Sequence, residues 1–173
     1  MEKLATTLYI VRHGETEENK QHILQGHLPG HLTENGIEQI RQLRDQLSSI
    51  PFDAIVCSDL KRCVDTANIL NEPHKLRILT TKLLRERDWG DYTGVSIASV
   101  DRSKPFPKNV ESEAAMKKRA GIFLDFVRKT YPGKTVLSVG HGLFNRYIQA
   151  SFYGKTIQEI QIMSNAEFRM LEL

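Results

Sequence analysis

The sequence predicts an α/β fold: a three-layer α/β/α sandwich around a mostly parallel central sheet. Short apolar runs alternate with helical periodicities along the chain, and no repeat, linker or low-complexity tract separates one part from another. Strands separated by helices are joined by crossovers, and crossovers make parallel neighbours. The expectation is a single domain over residues 1–173.

The elements follow in order. Thr7 to Val11 is a strand by its continuous apolar character. From Thr33 to Ile50, the residues Ile37, Ile40, Leu43, Leu47 and Ile50 recur at helical spacing, with Thr33 as N-cap and Pro51 as stop. Ala54 to Cys57 is a second strand, and Ser58 caps a helix from Asp59 to Leu70. Leu76 to Leu79 reads as a short strand toward a sheet edge. Gly90, Gly94 and the pair Pro105/Pro107 make residues 88 to 110 a loop-rich section. A long helix, Glu111 to Tyr131, carries Met116, Ala120, Phe123 and Val127 on one stripe and stops at Pro132-Gly133. Thr135 to Val139 is a buried strand, Leu143 to Phe152 a helix, and Phe168 to Leu173 a last strand.

With 173 residues, 40% apolar and 26% charged, the chain is long enough to bury a core without staples. Its formal charge of +3 is mild and the basic residues are dispersed, which excludes a nucleic-acid platform. No apolar stretch approaches a bilayer span, and Met1-Glu2-Lys3-Leu4 runs straight into the first strand, so neither membrane anchor nor signal peptide is expected. Cys57 and Cys63 read as unbridged packing residues, which suits the cytoplasm.

The chemistry sits at strand ends. Arg12-His13-Gly14-Glu15-Thr16 follows one apolar strand and Gly140-His141-Gly142 follows another. Adjacent parallel strands would bring both imidazoles to one pocket at the carboxyl edge of the sheet, where α/β ligands bind. Arginine's planar fork suits phosphate, and a neutral imidazole is a competent nucleophile toward phosphorus. Ser58-Asp59-Leu60-Lys61-Arg62 offers a second guanidinium from a first helical turn, and Leu84 to Gly90 supplies Glu86 in a glycine-bounded loop.

On these motifs the chain resembles the histidine phosphatase superfamily, also called the phosphoglycerate mutase-like family. The matching pieces are Arg12 to Thr16 with Asn19, Leu32-Thr33 with Gly36 and Gln39, Ser58 to Arg62 with Thr66-Ala67, Leu84 to Gly94, Glu111-Ser112 with Arg119, and His141-Gly142. They occur in family order across almost the whole chain. The resemblance implies that His13 becomes a phosphohistidine, that Arg12 and Arg62 hold the phosphoryl oxygens, and that His141 is a further donor. It makes Glu86 the proton donor to the leaving oxygen and then the base for water. Substrate binding falls to Arg12, Gly14, Thr16, Asn19, Gly26, Arg62, Arg87 and Gly142. A phosphoryl group spreads its charge over its equatorial oxygens, so guanidiniums aimed at them lower the barrier. No metal or other cofactor is required, because the arginines neutralise that charge.

Thr93-Gly94 departs from the family's Glu-Gly and changes loop packing rather than chemistry. Glu86-Arg87 followed by Trp89 is closer to the mutase-like pattern, in which the arginine contacts substrate. Against this, the segment Val95 to Val110 is short, whereas a mutase needs a longer basic insertion to keep water from its phosphohistidine. The expected activity is therefore hydrolysis of a small phosphorylated metabolite by a monomer or homodimer. Phosphoglycerate mutase is the runner-up, followed by a phosphoprotein phosphatase or a non-catalytic phospho-ligand module. Specificity is expected from residues 22 to 31 and 88 to 110, where Arg102, Lys104 or Lys108 reaches a second anionic group. Glu86 lies between Arg85 and Arg87 and is expected to be ringed by their charges. His22, His27 and His31 form no metal-ligand pattern and belong at the pocket entrance or in solvent, and Arg119 reads as a solvated helix charge. Trp89 is either a packed anchor or a substrate wall.

Overall fold

The computed structural model describes residues 4–173; Met1–Lys3, on which the expectation of no signal peptide falls, lie outside the described residues. Strands β1 (Thr7–Arg12), β2 (Ala54–Ser58), β3 (Ile78–Thr81), β4 (Thr135–Gly140) and β5 (Phe168–Glu172) form one sheet in the order β3-β2-β4-β1-β5. The first four are parallel, and β5 runs antiparallel against β1. The helices are α1 (Glu17–Lys20), α2 (Glu34–Leu47), α3 (Lys61–Leu70), α4 (Glu113–Thr130) and α5 (Gly142–Tyr153).

Strand alternation divides the core in two. Leu8, Ile10, Val56 and Val136 face one way and join Met116, Phe123, Leu124 and Val127 of α4 and Phe144 and Ile148 of α5. Val11, Ile55, Cys57, Leu137 and Val139 face the other way and join Ile40, Leu43 and Leu47 of α2 and Cys63, Ala67 and Leu70 of α3. Each large apolar side chain so buried contributes roughly 1.5–3 kcal/mol. The result is the three-layer sandwich expected from the alternating pattern.

Chain direction places the ligand crevice. From β1 the chain crosses through α2 toward β2, and from β4 it crosses through α5 toward β5, on the opposite side. The neighbours β1 and β4 thus send their connections apart, and a cleft opens beyond their carboxyl ends.

Four elements have an end displaced by two residues or more from expectation. The first long helix stops at Leu47, before Pro51 is reached, because Ser48 turns back and its hydroxyl donates to Asp45 O at 2.8 Å. Ser58 is still in the β2 ladder opposite Thr81, so the next helix begins at Lys61 with Leu60 at its N-cap and no side-chain cap. Pro29 O instead accepts from Arg62 N at 3.0 Å. The edge strand covers Ile78–Thr81 rather than Leu76–Leu79, since Leu76 is tied to the Asn71 side chain. Ser112 caps the long helix by accepting from Ala115 N at 3.1 Å, which leaves Glu111 outside it.

Candidate active site

The ends of β1 and β4 are in register: Arg12 lies opposite Gly140, and His13 N donates to Gly140 O at 3.0 Å. The imidazoles that follow meet edge to face, their ring centroids 5.4 Å apart. His13 Nδ1 lies 2.7 Å from Gly14 O. A carbonyl only accepts, so Nδ1 carries the proton and Nε2 keeps its lone pair. Burial, reinforced by Arg62 and Arg12, holds His13 well below the usual imidazole range, against the opposing pull of the Gly14 carbonyl. His13 is an imidazole held neutral, with Nε2 as its free nitrogen.

Two glycines set this geometry. A Cβ on Gly14 would lie 2.6 Å from Ile40 Cδ1 and 2.8 Å from Gly36 O, so its bare backbone presses against α2. A Cβ on Gly142 would lie 2.9 Å from Arg12 Nε, so the missing side chain is the guanidinium's seat.

Arg12 Nη1 donates to Met163 O at 2.6 Å; Arg62 donates to Leu28 O and, at 2.9 Å, to Gly26 O. Burial lowers both guanidiniums from their ordinary value, yet arginine stays charged at any physiological pH. The Nε of each is buried with no partner among the described residues. Unpartnered buried donors are costly, and an oxyanion would offset that cost. Both arginines line a cavity of about 300 Å³, together with His13, Asn19, Gly26, Glu86, Trp89 and Gly142.

The neighbouring charges do not ring Glu86. Arg85 turns to Asp59 in a bidentate pair at 2.7 Å, and Arg87 Nε donates to Glu111 O at 2.8 Å with its guanidinium 4.7 Å from the Trp89 centroid. In extended backbone, successive side chains point to opposite sides. Glu86 instead accepts three amides: Arg87 N at 2.9 Å, Leu143 N at 3.1 Å and Phe144 N at 3.0 Å. The last two belong to the first turn of α5, where donors are unsatisfied and a carboxylate is favoured.

Arg119 is not a solvated charge. It donates to Leu83 O at 3.0 Å and Arg85 O at 2.6 Å and pairs with both Glu111 oxygens at 2.9 Å. His27 Nε2 lies 3.0 Å from Glu86 O on the other side of the same segment. His31 contacts Glu18, so the three loop histidines do not share a site.

Thr16 is fully buried, caps α1 and bonds Asn19 and Gln25; Arg87, Gly14 and Thr16 stand behind the cavity wall rather than in it. Asn19 Oδ1 accepts from Thr16 N at 3.1 Å and from Asn165 Nδ2 at 3.3 Å, which turns its amide nitrogen over to a ligand. His141 is buried behind His13, its Nε2 lying 2.8 Å from Ser58 Oγ and 3.3 Å from Cys63 Sγ. Burial and Arg62 keep it, too, well below the ordinary imidazole value. Trp89 serves both readings, as it lines the cavity and packs 6.1 Å from Phe106. Ser58, Glu111 and Arg119 belong to the matched motifs but carried no positioning role there, and Asn165 lies outside every motif.

Cations that can neither leave nor lose their charge, set against an imidazole held neutral by burial, suit a tetrahedral phosphoryl group: the fold and site define a phosphoryl-transfer enzyme of the α/β class. Comparison with known proteins narrows this. The family model for the histidine phosphatase superfamily (branch 1) matches residues 8–173. An uncharacterized phosphatase of Bacillus subtilis, PhoE, is 36% identical over 141 residues, which span 79% of this chain and 72% of that protein. Among solved structures, YhfR of Bacillus stearothermophilus superposes with a TM-score of 0.89 at 26% identity, over 96% of this chain and 90% of that one. A mycobacterial glucosyl-3-phosphoglycerate phosphatase gives 0.86 at 26% identity, over 95% and 91%. This chain belongs to the histidine phosphatase superfamily, branch 1, and is a phosphate-monoester hydrolase.

Proposed function

We propose that residues 1–173 form one catalytic domain that hydrolyses a small phosphorylated metabolite without a metal, through a phosphohistidine on His13. The observation that carries this is the His13 ring, with Nδ1 tied to Gly14 O and Nε2 free in a cavity shared with Arg12, Arg62 and Glu86. The substrate phosphoryl sits between the two guanidiniums and the Asn19 amide. His13 Nε2 attacks phosphorus as the ester P–O bond breaks, and Glu86 relays the proton brought by the substrate's phosphate monoanion to the departing alcohol oxygen. Glu86 then takes a proton from water, whose oxygen attacks the phosphohistidine and frees phosphate and His13. His141 backs the His13 ring from behind the cavity wall, with Nε2 toward Ser58 and Cys63, and supports the nucleophile's position.

Hydrolysis rather than isomerisation is supported by the short segment after Glu86, which leaves the cavity mouth open to water. Two buried, unbridged thiols support a reducing compartment, the cytoplasm. No helix among the described residues is long and apolar enough to cross a membrane.

The test is an alkaline quench during turnover of an aryl phosphate, followed by mapping of acid-labile phosphate. Label on His13, with loss of turnover in His13→Ala, is the expected result; steady turnover by His13→Ala would overturn the mechanism.

A further inference from the structure

Half of the cavity has no part in the phosphoryl chemistry. Ile23, Leu24, Trp89, Ile97, Leu143 and Ile162 supply its apolar lining. Ile97 and Ile162 are 41% and 67% exposed, so the mouth presents apolar surface to water. The roof is already built. Leu24 N donates to Val95 O at 2.9 Å, Gly94 N to Leu24 O at 2.8 Å and Ile97 N to His22 O at 2.8 Å, stitching residues 22–24 to residues 94–97.

Four arginines reach this cavity, and backbone carbonyls fix three of them in place, two of these facing the phosphoryl group. Arg12 is held by Met163 O, Arg62 by Gly26 O and Leu28 O, and Arg146 by Ile157 O and Ile160 O. The guanidinium of Arg102 has no hydrogen-bond or ion-pair partner among the described residues, and it lines the same cavity as the apolar residues Ile97 and Ile162. Of the other cations in that loop, Lys104 pairs with Asp101 at 3.6 Å, and Lys108 lines a separate surface groove. The cavity's one carboxylate, Glu86, is occupied by backbone amides. At about 300 Å³ the space is at the small end for a ligand site.

We propose, resting on the phosphatase reading above, that the substrate is a compact phosphate monoester whose alcohol part has an apolar body bearing a carboxylate, the body covering Ile97 and Ile162 and the carboxylate pairing with Arg102. A planar guanidinium accepts a carboxylate through two parallel bonds, and burial of the rim isoleucines adds a sequence-independent apolar contribution.

The test compares phosphate release by the intact chain from glycerol phosphate, benzyl phosphate and para-carboxybenzyl phosphate. All three have primary-alcohol leaving groups, and the carboxylate is insulated from the reacting oxygen, so intrinsic reactivity is matched. The expected kcat/KM rises in that order, with the carboxylate step roughly tenfold. In Arg102→Gln that step shrinks to about twofold or less, and in wild type it shrinks at high salt, as a partly exposed ion pair should. In Ile162→Asn the benzyl-over-glycerol step shrinks. A benzyl ester no better than the glycerol ester, or a carboxylate preference that survives Arg102→Gln, would overturn the inference. Failure of all three esters to release phosphate would overturn the phosphatase reading beneath it.

Discussion

The Arg119 guanidinium lies 3.9 Å from the Phe144 ring centroid, and through it α4 grips both ends of the Glu86 environment. Arg119 holds the carbonyls of Leu83 and Arg85 on one side, while the Phe144 amide holds Glu86 Oε1 on the other. Glu86 is therefore fixed by backbone, and that backbone is fixed by an arginine outside the cavity lining.

Arg119→Met should lower kcat on alkyl phosphates by about tenfold or more, since small misplacement of a reacting group is costly. Activity on p-nitrophenyl phosphate should fall much less, because that leaving group needs no proton. Arg119→Lys keeps the charge but not the fork and should restore only part of the loss. Equal losses on both substrates would show a general structural defect instead of a misplaced acid.

Stability should fall with acid in a defined window. His13 and His141 both titrate well below the ordinary value of 6.5 in the folded chain. Above 6.5 both states are neutral at these sites, so neither histidine affects stability there. As pH drops through 6.5 the unfolded chain binds protons that the folded chain refuses, and stability decreases. Urea midpoints measured from pH 7 to about pH 5 should therefore decline, and His141→Gln should flatten the slope by about one proton's worth.

Gly36→Ala tests whether tight packing outweighs helix propensity. At an ordinary helical site this change stabilises by about 1 kcal/mol. Here the new Cβ would lie 2.2 Å from Glu15 O, a backbone atom that cannot swing away. A destabilisation of roughly 2 kcal/mol or more is expected by thermal or chemical unfolding, with kcat reduced because Glu15 follows the His13-Gly14 turn.

Thiol titration should find nothing in the native protein. Burial pushes Cys63 up to about 12 and Cys57 well above its ordinary value, and neither sulfur reaches solvent. A disulfide reagent at pH 8 should react with both thiols in denaturant and neither without it. Rapid labelling of Cys63 in the native state would mean that the wall behind His141 opens.

Much of the molecule is legible from residue order. Leu8 to Val11 and Val136 to Val139 are strands because continuous apolar runs suit sheets buried on both faces, and Ile40, Leu43 and Leu47 mark a helix by spacing alone. The motifs at 12–14, 58–62 and 140–142 announce their chemistry because a strand end exposes its last residues by geometry.

Pairing was not legible. Nothing in Arg85-Glu86-Arg87 says that the first arginine turns to Asp59, the second to Glu111 O, and the glutamate to α5 amides. Nor does Glu111 announce that it stays outside its helix to hold Arg119. The antiparallel direction of β5 and the placement of Thr16 and Arg87 behind the wall belong to the same kind. By itself the sequence determined which groups the site contains and which strands carry them, since apolar period and strand-end position are local. The tertiary structure alone decided which charges are consumed in holding the site and which, Arg12 and Arg62 above all, keep donors for an anion. Partner choice depends on distances between segments far apart in the chain, and no local pattern encodes those.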